Sequence, residues 1–354
     1  MLGFPDIALP IVQAPLAGGP STPQLAAAVA RAGGFGFLAA GYKTPDAVRA
    51  EIQQLRAWSV SQFGLNLFLP GPATADAAGV ARYAAALQPE AAGYGVQLGE
   101  PRHDDDAFEA KLALAIAERV PVVSFTFGCP SRAVLDQLHA HGCAAWVTVT
   151  DLDEVAQAAA AGADALVLQG VEAGGHRGSF EDRDGAGELG LLAFVRLAAR
   201  ACTLPLVAAG GIADGPGIAA VLVGGARAAQ LGTAYMRCPE AGTTAAQRAL
   251  LADPTRHAPT QLTRAFTGRR ARGIVNAFMR RHGADAPSAY PELHNLTAPL
   301  RAAARAAGAA DDFNLWAGQA YALAEERPAF ELTQALAAAA QQALAEAINK
   351  LPRP

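Results

Sequence analysis

The sequence has little charge, few cysteines and no long apolar run, and each of these shortages excludes a class of protein. Only 17% of the 354 residues are charged and the formal net charge is −4, which argues against a general surface for nucleic acids or anionic membranes. The four cysteines form no CxxC pair, so neither a structural zinc site nor a disulfide scaffold is expected. There is no secretion-type leader and no apolar run of membrane-spanning length. These features predict a soluble, cytoplasmic protein.

Apolar residues make up 52% of the chain and occur in short runs between alanine-rich stretches. Near-continuous apolar strands that alternate with helices are typical of a parallel sheet covered on both faces. Strands are predicted at IVQAPL from Ile11, GFGFLAA from Gly34, FGLNLF from Phe63, PVVSFTF from Pro121, AAWVTV from Ala144, DALVLQ from Asp164, PLVAAGG from Pro205 and AAQLGT from Ala228. Eight such strands favour an α/β fold of the (β/α)8 TIM-barrel type over an open sheet.

Helix signals lie between these strands. Ser21 or Thr22 can cap a helix that has Pro23 in its first turn, and Gly162 and Gly224 are expected to end two later helices in a left-handed conformation.

The alternation stops after strand eight. We expect residues 236–312 to form a smaller helical cap domain, while residues 1–235 and 313–354 form the barrel and its long closing helix.

Glycines follow the seventh and eighth strands, where barrels of this kind often bind phosphate. Gly210 and Gly211 lie in one loop, and Gly232 and Thr233 lie in the other. Such glycines also serve as simple tight turns. Their pairing at these two strands favours a phosphate-bearing cofactor, although neither loop has a GxGxxG or P-loop pattern.

Polar residues at other strand ends point to the same end of the barrel. Asn66 and Gln169 end apolar strands, and an amide there suits either the edge of a flavin or a loop backbone that needs a partner. In QGVEAGGHRGSF, His176 follows strand six, and Gly174 lets the backbone pass close to a ligand. This position favours a catalytic histidine over a structural one.

Seven segments in order along the chain resemble a bacterial nitronate monooxygenase of class I. These are QAPLAGGPSTPQLAAAVARAGGFGFLAAGY, FGLNLF, SFTFG, QGVEAGGHRGSF, AAGGIADG, QLGTAY and TRAFTGRRARGIVNAF. EAGGH alone also resembles FMN-dependent enoyl reductases, whereas HRGSF, SFTFG and the cap motif favour the monooxygenase.

The resemblance implies oxidation of alkyl nitronates, with neutral nitroalkanes as a second substrate class, by O2 to a carbonyl compound and nitrite. It implies non-covalent FMN, bound by Asn66, Gln169, Gly174, Gly211, Gln230, Leu231, Gly232 and Thr233. His176 matches the active-site histidine, which would bind the nitronate when protonated or remove the α-proton of a nitroalkane as a base.

Two other functions stay open at this stage: an FMN-dependent NAD(P)H oxidoreductase acting on quinones or enoyl thioesters, and a flavin-binding module without turnover. The arginines of TGRRARG suit an NADPH phosphate or, slightly better, a solvated cap surface. Tyr290 and Trp316 are candidates for a pocket wall, and packing explains them equally well. HAHGC, from His139 to Cys143, is interpreted as a helix end, so no metal is expected.

Overall fold

Eight parallel strands form the central barrel that the sequence predicts. The structure, a computed structural model, describes residues 3–74, 76–253 and 259–350. Three other strands, β7 Gly175–His176, β10 Thr260–Thr263 and β11 Ala271–Ile274, form a separate sheet. The barrel strands are β1 Ile11–Gln13, β2 Phe37–Ala39, β3 Gly64–Phe68, β4 Val122–Thr126, β5 Ala144–Val149, β6 Ala165–Gln169, β8 Leu206–Ala209 and β9 Ala228–Leu231. Around the barrel they pair in the order β1, β9, β8, β6, β5, β4, β3, β2. A parallel bridge between Val12 and Phe35 brings the two ends of this sheet together.

Aromatic side chains fill the amino-terminal end of the barrel. Trp146 is fully buried and stacks on Phe4, with ring centroids 5.0 Å apart. Phe37 packs beside it, and a Cβ on Gly64 would lie 2.2 Å from the Phe37 ring, so that strand begins with glycine. Burial of an indole contributes roughly 4–6 kcal/mol in transfer free energy. The packing closes this end and leaves the carboxyl end for a ligand.

Helices cover the barrel and join its strands. They are α1 Pro23–Arg31, α2 Pro45–Ala57, α3 Ala77–Gly93, α4 Phe108–Ala117, α5 Arg132–Ala140, α6 Leu152–Ala161, α7 Leu191–Ala201, α8 Gly215–Gly224, α9 Ala245–Ala252, α10 Ala277–His282, α11 Glu292–Ala306 and α12 Ala329–Lys350. The predicted closing helix, α12, packs on α1 and α8. Among the described residues, no helix is long and apolar enough to cross a membrane.

Most of the predicted helix signals are confirmed. Thr22, not Ser21, caps α1 by accepting a hydrogen bond from the Leu25 N–H at 3.0 Å. Gly162 ends α6 with φ of +102°. The prediction for Gly224 is wrong by one residue, because Gly225 takes the left-handed conformation.

The segment 236–312 is not entirely helical, which corrects the prediction. It contains α9, α10 and α11, but also the antiparallel strands β10 and β11. Strand β11 pairs with β7, so that Ala271 lies opposite His176 and Arg272 opposite Gly175. The sequence does not predict β10 and β11, because these strands are short and their arginine and threonine residues obscure the alternation of apolar and polar side chains that marks a strand.

The cap segment shares a hydrophobic core with α3, which precedes it in the chain by more than a hundred residues. Tyr83 of α3 is buried there and donates a hydrogen bond to the Ala265 carbonyl at 2.7 Å. Phe266 and Phe278 stack beside it at 4.8 Å. The division of the chain into a barrel and a cap domain stays a prediction.

The segment HAHGC lies at the closed end of the barrel, as the helix-end interpretation predicts. Helix α5 ends at Ala140 and His141 is exposed. His139 pairs with Asp164 at 2.7 Å, and Cys143 is buried in the core. His139 and Cys143 therefore contribute to the packing and pairing at this end of the barrel.

Candidate active site

A cavity of about 410 Å³ opens where the carboxyl ends of the barrel strands meet. Eight of the nine predicted site residues line it: Asn66, Gln169, Gly174, His176, Gly211, Gln230, Gly232 and Thr233. Leu231 does not, since its side chain is fully buried in the apolar core between barrel and helices. Neighbouring side chains of a strand point to opposite faces, so when Gln230 faces inward Leu231 faces the helices.

Two loops at this mouth present free backbone donors. The N–H groups of Gly211 and Gly232 have no hydrogen-bond acceptor within the described ranges. Gly211 has φ of +68°, and a Cβ on it would lie 2.9 Å from the Glu172 Cβ. The Thr233 hydroxyl accepts from the Gly318 N–H at 3.0 Å, which leaves its hydrogen for a ligand. This arrangement suits a bound phosphate.

Asn66 and Gln230 present amides to the cavity from β3 and β9. The Asn66 Nδ2 donates to the Ser124 Oγ at 2.9 Å and lies 3.0 Å from the Thr126 Oγ1, so its orientation is held. Gln230 is 8% exposed, and its amide has no partner in the part of the chain that is described. The amide faces the cavity, where a heterocyclic ligand edge would provide a hydrogen-bond partner.

Gln169 holds the loop that carries His176. Its Nε2 donates to the His176 carbonyl at 3.0 Å, and its Oε1 accepts from the Gly178 N–H at 2.9 Å. Both ends of the amide are therefore used by the loop backbone. Of the two roles that the sequence left open, the geometry supports the loop-holding one.

Gly174 allows a close approach between this loop and the segment after the cap. A Cβ at this position would lie 2.5 Å from the Ala317 carbonyl carbon and from the Gly318 nitrogen. The glycine is therefore required by backbone packing beside the cavity.

Aromatic rings surround the imidazole of His176. The ring centroids of Phe127, Tyr290 and Trp316 lie 5.7, 5.6 and 5.6 Å from it. Its Nε2 lies 2.9 Å from the Thr267 Oγ1. Trp316 and Phe127 line the cavity beside the histidine, whereas Tyr290 touches the imidazole but lines a neighbouring pocket. The rings of Trp316 and Phe127 suit a short alkyl group.

His176 is neutral at physiological pH. Removal from water and, to a smaller extent, the nearby positive charges of Arg269 and Arg301 lower its pKa from 6.5 to about 3, against a smaller opposing effect of Asp182. The expected protonated histidine is therefore not the form present in the free protein at pH 7. A neutral imidazole can accept a proton but carries no charge for an anion.

The arginines of TGRRARG are buried, so the prediction of a solvated cap surface is wrong. Arg269, Arg270 and Arg272 are 7, 5 and 6% exposed. They donate to backbone carbonyls of the loop that carries His176, among them those of Ser179 and Val171, and Arg270 also pairs with Asp182. Their charges are used to hold this loop. Because these contacts use the N–H donors of the three arginines, few donors remain for an NADPH phosphate.

Sequence patterns missed several residues at the cap side of the cavity. Thr267, Arg301, Arg305 and Asn314 all line it, although their segments look like ordinary loop and helix surface. One sequence feature could have indicated two of them. Arg301 and Arg305 are four residues apart on a helix, and no Asp or Glu lies three or four residues from either to pair with them.

The sequence matches a family of known proteins along most of its length. Residues 4–339 match the family model described as nitronate monooxygenase. A nitronate monooxygenase from Paraburkholderia phytofirmans is 44% identical over 336 residues, which cover 92% of this chain and 91% of the relative. One from Pseudomonas aeruginosa is 43% identical over 338 residues, with 92% and 95% covered.

Two solved structures are similar to this chain over nearly its whole length. A nitroalkane oxidase from Streptomyces ansochromogenes superposes with a TM-score of 0.93 at 49% identity, covering 97% of this chain and 98% of the other. FabK from Thermotoga maritima superposes with a TM-score of 0.76 at 25% identity, covering 98% and 96%.

Proposed function

Because this chain belongs to the nitronate monooxygenase family, we propose that it oxidises alkyl nitronates with O2 to carbonyl compounds and nitrite, with FMN as cofactor. The observation that carries the proposal is one cavity with free backbone N–H groups on one side and a histidine beside the rings of Phe127 and Trp316 on the other. Neutral nitroalkanes are included because a relative at 49% identity is described as a nitroalkane oxidase.

The residues that line the cavity fit FMN. The N–H groups of Gly211 and Gly232 and the Thr233 hydroxyl would hold its phosphate, because they are donors without a protein acceptor. Asn66 and Gln230 would bind the ring edge through their amides. Bound there, FMN would supply the redox chemistry between substrate and O2. Gln169 and Gly174 act indirectly, since they shape the loop beside the cavity.

His176 is proposed as the base that removes the α-proton of a neutral nitroalkane. Its low pKa makes it a weak base in isolation. The same positive charges that lower its pKa, on Arg269 and Arg301, also stabilise the nitronate anion that forms when the proton leaves. A pre-formed nitronate needs no base, and His176 would then only help to orient it.

Thr267 selects which nitrogen of His176 is the base. Its hydroxyl donates to the Arg269 carbonyl at 3.3 Å and lies 2.9 Å from the Nε2 of His176. A hydroxyl has one hydrogen, and when that hydrogen goes to the Arg269 carbonyl the hydroxyl accepts from the ring, so that Nε2 carries the proton of the neutral imidazole. Nδ1 is then the nitrogen with a free lone pair. Thr267 is a positioning residue in this scheme.

Thr267→Val is expected to lower kcat/KM for a neutral nitroalkane about 10-fold, the worth of one hydrogen bond. Oxidation of a pre-formed nitronate should change much less, because only the nitroalkane needs the base. Oxygen uptake with each substrate, normalised to bound flavin, gives the comparison. Thr267→Ser keeps the hydroxyl and should restore nitroalkane activity. Equal losses on both substrates would assign Thr267 a purely structural role.

The proposed function is tested by the flavin of the purified protein. Denaturation should release FMN, and anaerobic addition of an alkyl nitronate should bleach the flavin absorbance, which O2 then restores with formation of nitrite. Rapid bleaching by NADPH, with none by nitronate, would instead indicate the NAD(P)H oxidoreductase. Bound flavin that neither compound bleaches would indicate the non-catalytic module, and protein that stays colourless with added FMN would refute the flavin proposal.

We also propose a cytoplasmic location, as expected from the sequence. It is supported by the four cysteines, which are all free thiols, as is usual in a reducing compartment.

A further inference from the structure

Two arginines on the cap wall of the cavity lie one helical turn apart. Arg301 and Arg305 belong to α11, and both line the cavity. Arg301 is only 5% exposed. In the described part of the chain neither guanidinium forms an ion pair, and their hydrogen bonds go to neutral groups. Buried charges are normally paired, so the buried Arg301 next to the half-buried Arg305 is unusual.

The neutral contacts orient the two guanidiniums toward each other. Arg301 donates to the Thr297 Oγ1 at 2.9 Å and to the His294 carbonyl at 2.8 Å. Both arginines donate to one atom, the Asn314 Oδ1, at 3.5 Å from Arg301 and 2.7 Å from Arg305. Burial and, to a smaller extent, the charge of Arg305 together lower the pKa of Arg301 to about 10. An anion would balance these two like charges, which meet at one neutral oxygen.

We propose that Arg301, Arg305 and Asn314 form a substrate subsite for a planar anion with two oxygens. That anion is either the nitronate group itself or a carboxylate at the far end of the substrate. Guanidinium groups match this geometry through several N–H donors. Arg301 already donates to Thr297, to the carbonyl and Nδ1 of His294 and, at 3.5 Å, to Asn314, so most of the donors for the anion come from Arg305, with one Nη1 hydrogen from Arg301. The subsite rests on the proposed function, and it supplies the positive charge that the neutral His176 lacks.

The flavin phosphate is not the expected occupant, because it has its own donors. These are the N–H groups of Gly211 and Gly232 on the barrel loops, whereas the arginines belong to the cap helix α11. A substrate between flavin and cap would contact both His176 and the arginine pair, which line the same cavity.

Nitrate is a planar oxyanion that tests the subsite without turnover. Isothermal titration of the FMN-loaded protein should show nitrate binding that Arg301→Met weakens about 10–100-fold, the range for one or two charge-assisted hydrogen bonds. Arg301→Lys keeps the charge but not the fork, and should lose less. Arg281→Met is the matched control, because Arg281 is a cap arginine that pairs with Glu90 and Asp312 and does not line the cavity.

Steady-state kinetics then identifies the source of the anion. The KM of Arg301→Met is compared for an unsubstituted alkyl nitronate and for one of the same length with a terminal carboxylate. A similar rise of KM for both substrates assigns the subsite to the nitronate group. A rise confined to the carboxylated substrate assigns it to the far end of the substrate.

Unchanged nitrate affinity together with an unchanged KM for both substrates would overturn the proposal. Loss of FMN from Arg301→Met would overturn it as well, because the guanidinium would then hold the flavin. If Arg301→Met does not fold, Arg301→Lys and Arg305→Met provide the same comparison. A wild-type protein that oxidises no nitronate would refute the proposed function, but its nitrate titration would still decide whether the anion subsite exists.

Discussion

His176→Asn is expected to lower the oxidation of a neutral nitroalkane by about 10²–10⁴-fold, the usual contribution of a general base. Asparagine keeps a hydrogen-bonding side chain but cannot take a proton near neutral pH. A pre-formed nitronate has already lost that proton. Its oxidation should therefore suffer only the loss of a neutral hydrogen bond, about 0.5–1.5 kcal/mol. The neutral state of His176 makes this residual loss smaller than a charged histidine would.

Oxygen uptake with the two substrate forms, normalised to bound flavin, measures the difference. FMN content should stay near that of the wild type, because the proposed flavin contacts lie on Gly211, Gly232, Thr233, Asn66 and Gln230. Equal losses on both forms would mean that His176 orients the substrate without acting as the base. No loss on either form would make it a structural histidine.

The pH profile of the wild-type protein gives a second measurement of the same role. A pKa lowered to about 3 keeps His176 in the neutral, base-competent form as pH falls from 8 to 5. kcat/KM for a neutral nitroalkane should therefore show no decline with a midpoint near 6.5. Such a decline would show that His176 regains an ordinary pKa in the working protein, and the charged form would then contribute near neutral pH.

Gly211→Val is expected to weaken FMN binding about 100-fold or more. Gly211 has φ of +68°, which a β-branched residue adopts only with strain of about 1–3 kcal/mol. Its new Cβ would lie 2.9 Å from the Glu172 Cβ, so the loop would have to shift. A shifted loop also misplaces the free N–H that would meet the phosphate, at a further cost of about 1.5–3 kcal/mol.

Titration of apoprotein with FMN, followed by flavin fluorescence, measures this affinity. Gly142→Val is the matched control, because Gly142 also has positive φ, +78°, with open space around its Cβ. It lies between α5 and β5, at the closed end of the barrel, so it should retain FMN affinity despite the backbone strain. Unchanged affinity in a folded Gly211→Val protein would place the phosphate elsewhere.

Local patterns were sufficient for the barrel and for most of the cavity. The eight apolar runs, their turn glycines and the helix caps are short-range features, and each predicted run contains a barrel strand. Barrel topology then brings residues at the carboxyl ends of strands to one mouth, which is why Asn66, Gln230 and Gly232 meet there. The prediction for Leu231 is wrong because it assigned every residue from Gln230 to Thr233 to the flavin site. Side chains along a strand alternate between two faces, so two neighbouring strand residues do not both face the cavity.

The sequence by itself thus determined the barrel, its active end and the histidine at its mouth, because strand and turn signals depend on neighbouring residues. Only the tertiary structure decided the charge state and surroundings of that histidine. The contact between His176 and Thr267 joins residues 91 positions apart, and burial of Arg269 lets its charge act on the ring. Likewise, the sequence of the helix that contains Arg301 is typical of a solvated surface, and only the packing of the folded chain buries this side chain. Burial and long-range electrostatics are properties of the packed chain, and local sequence patterns do not contain them.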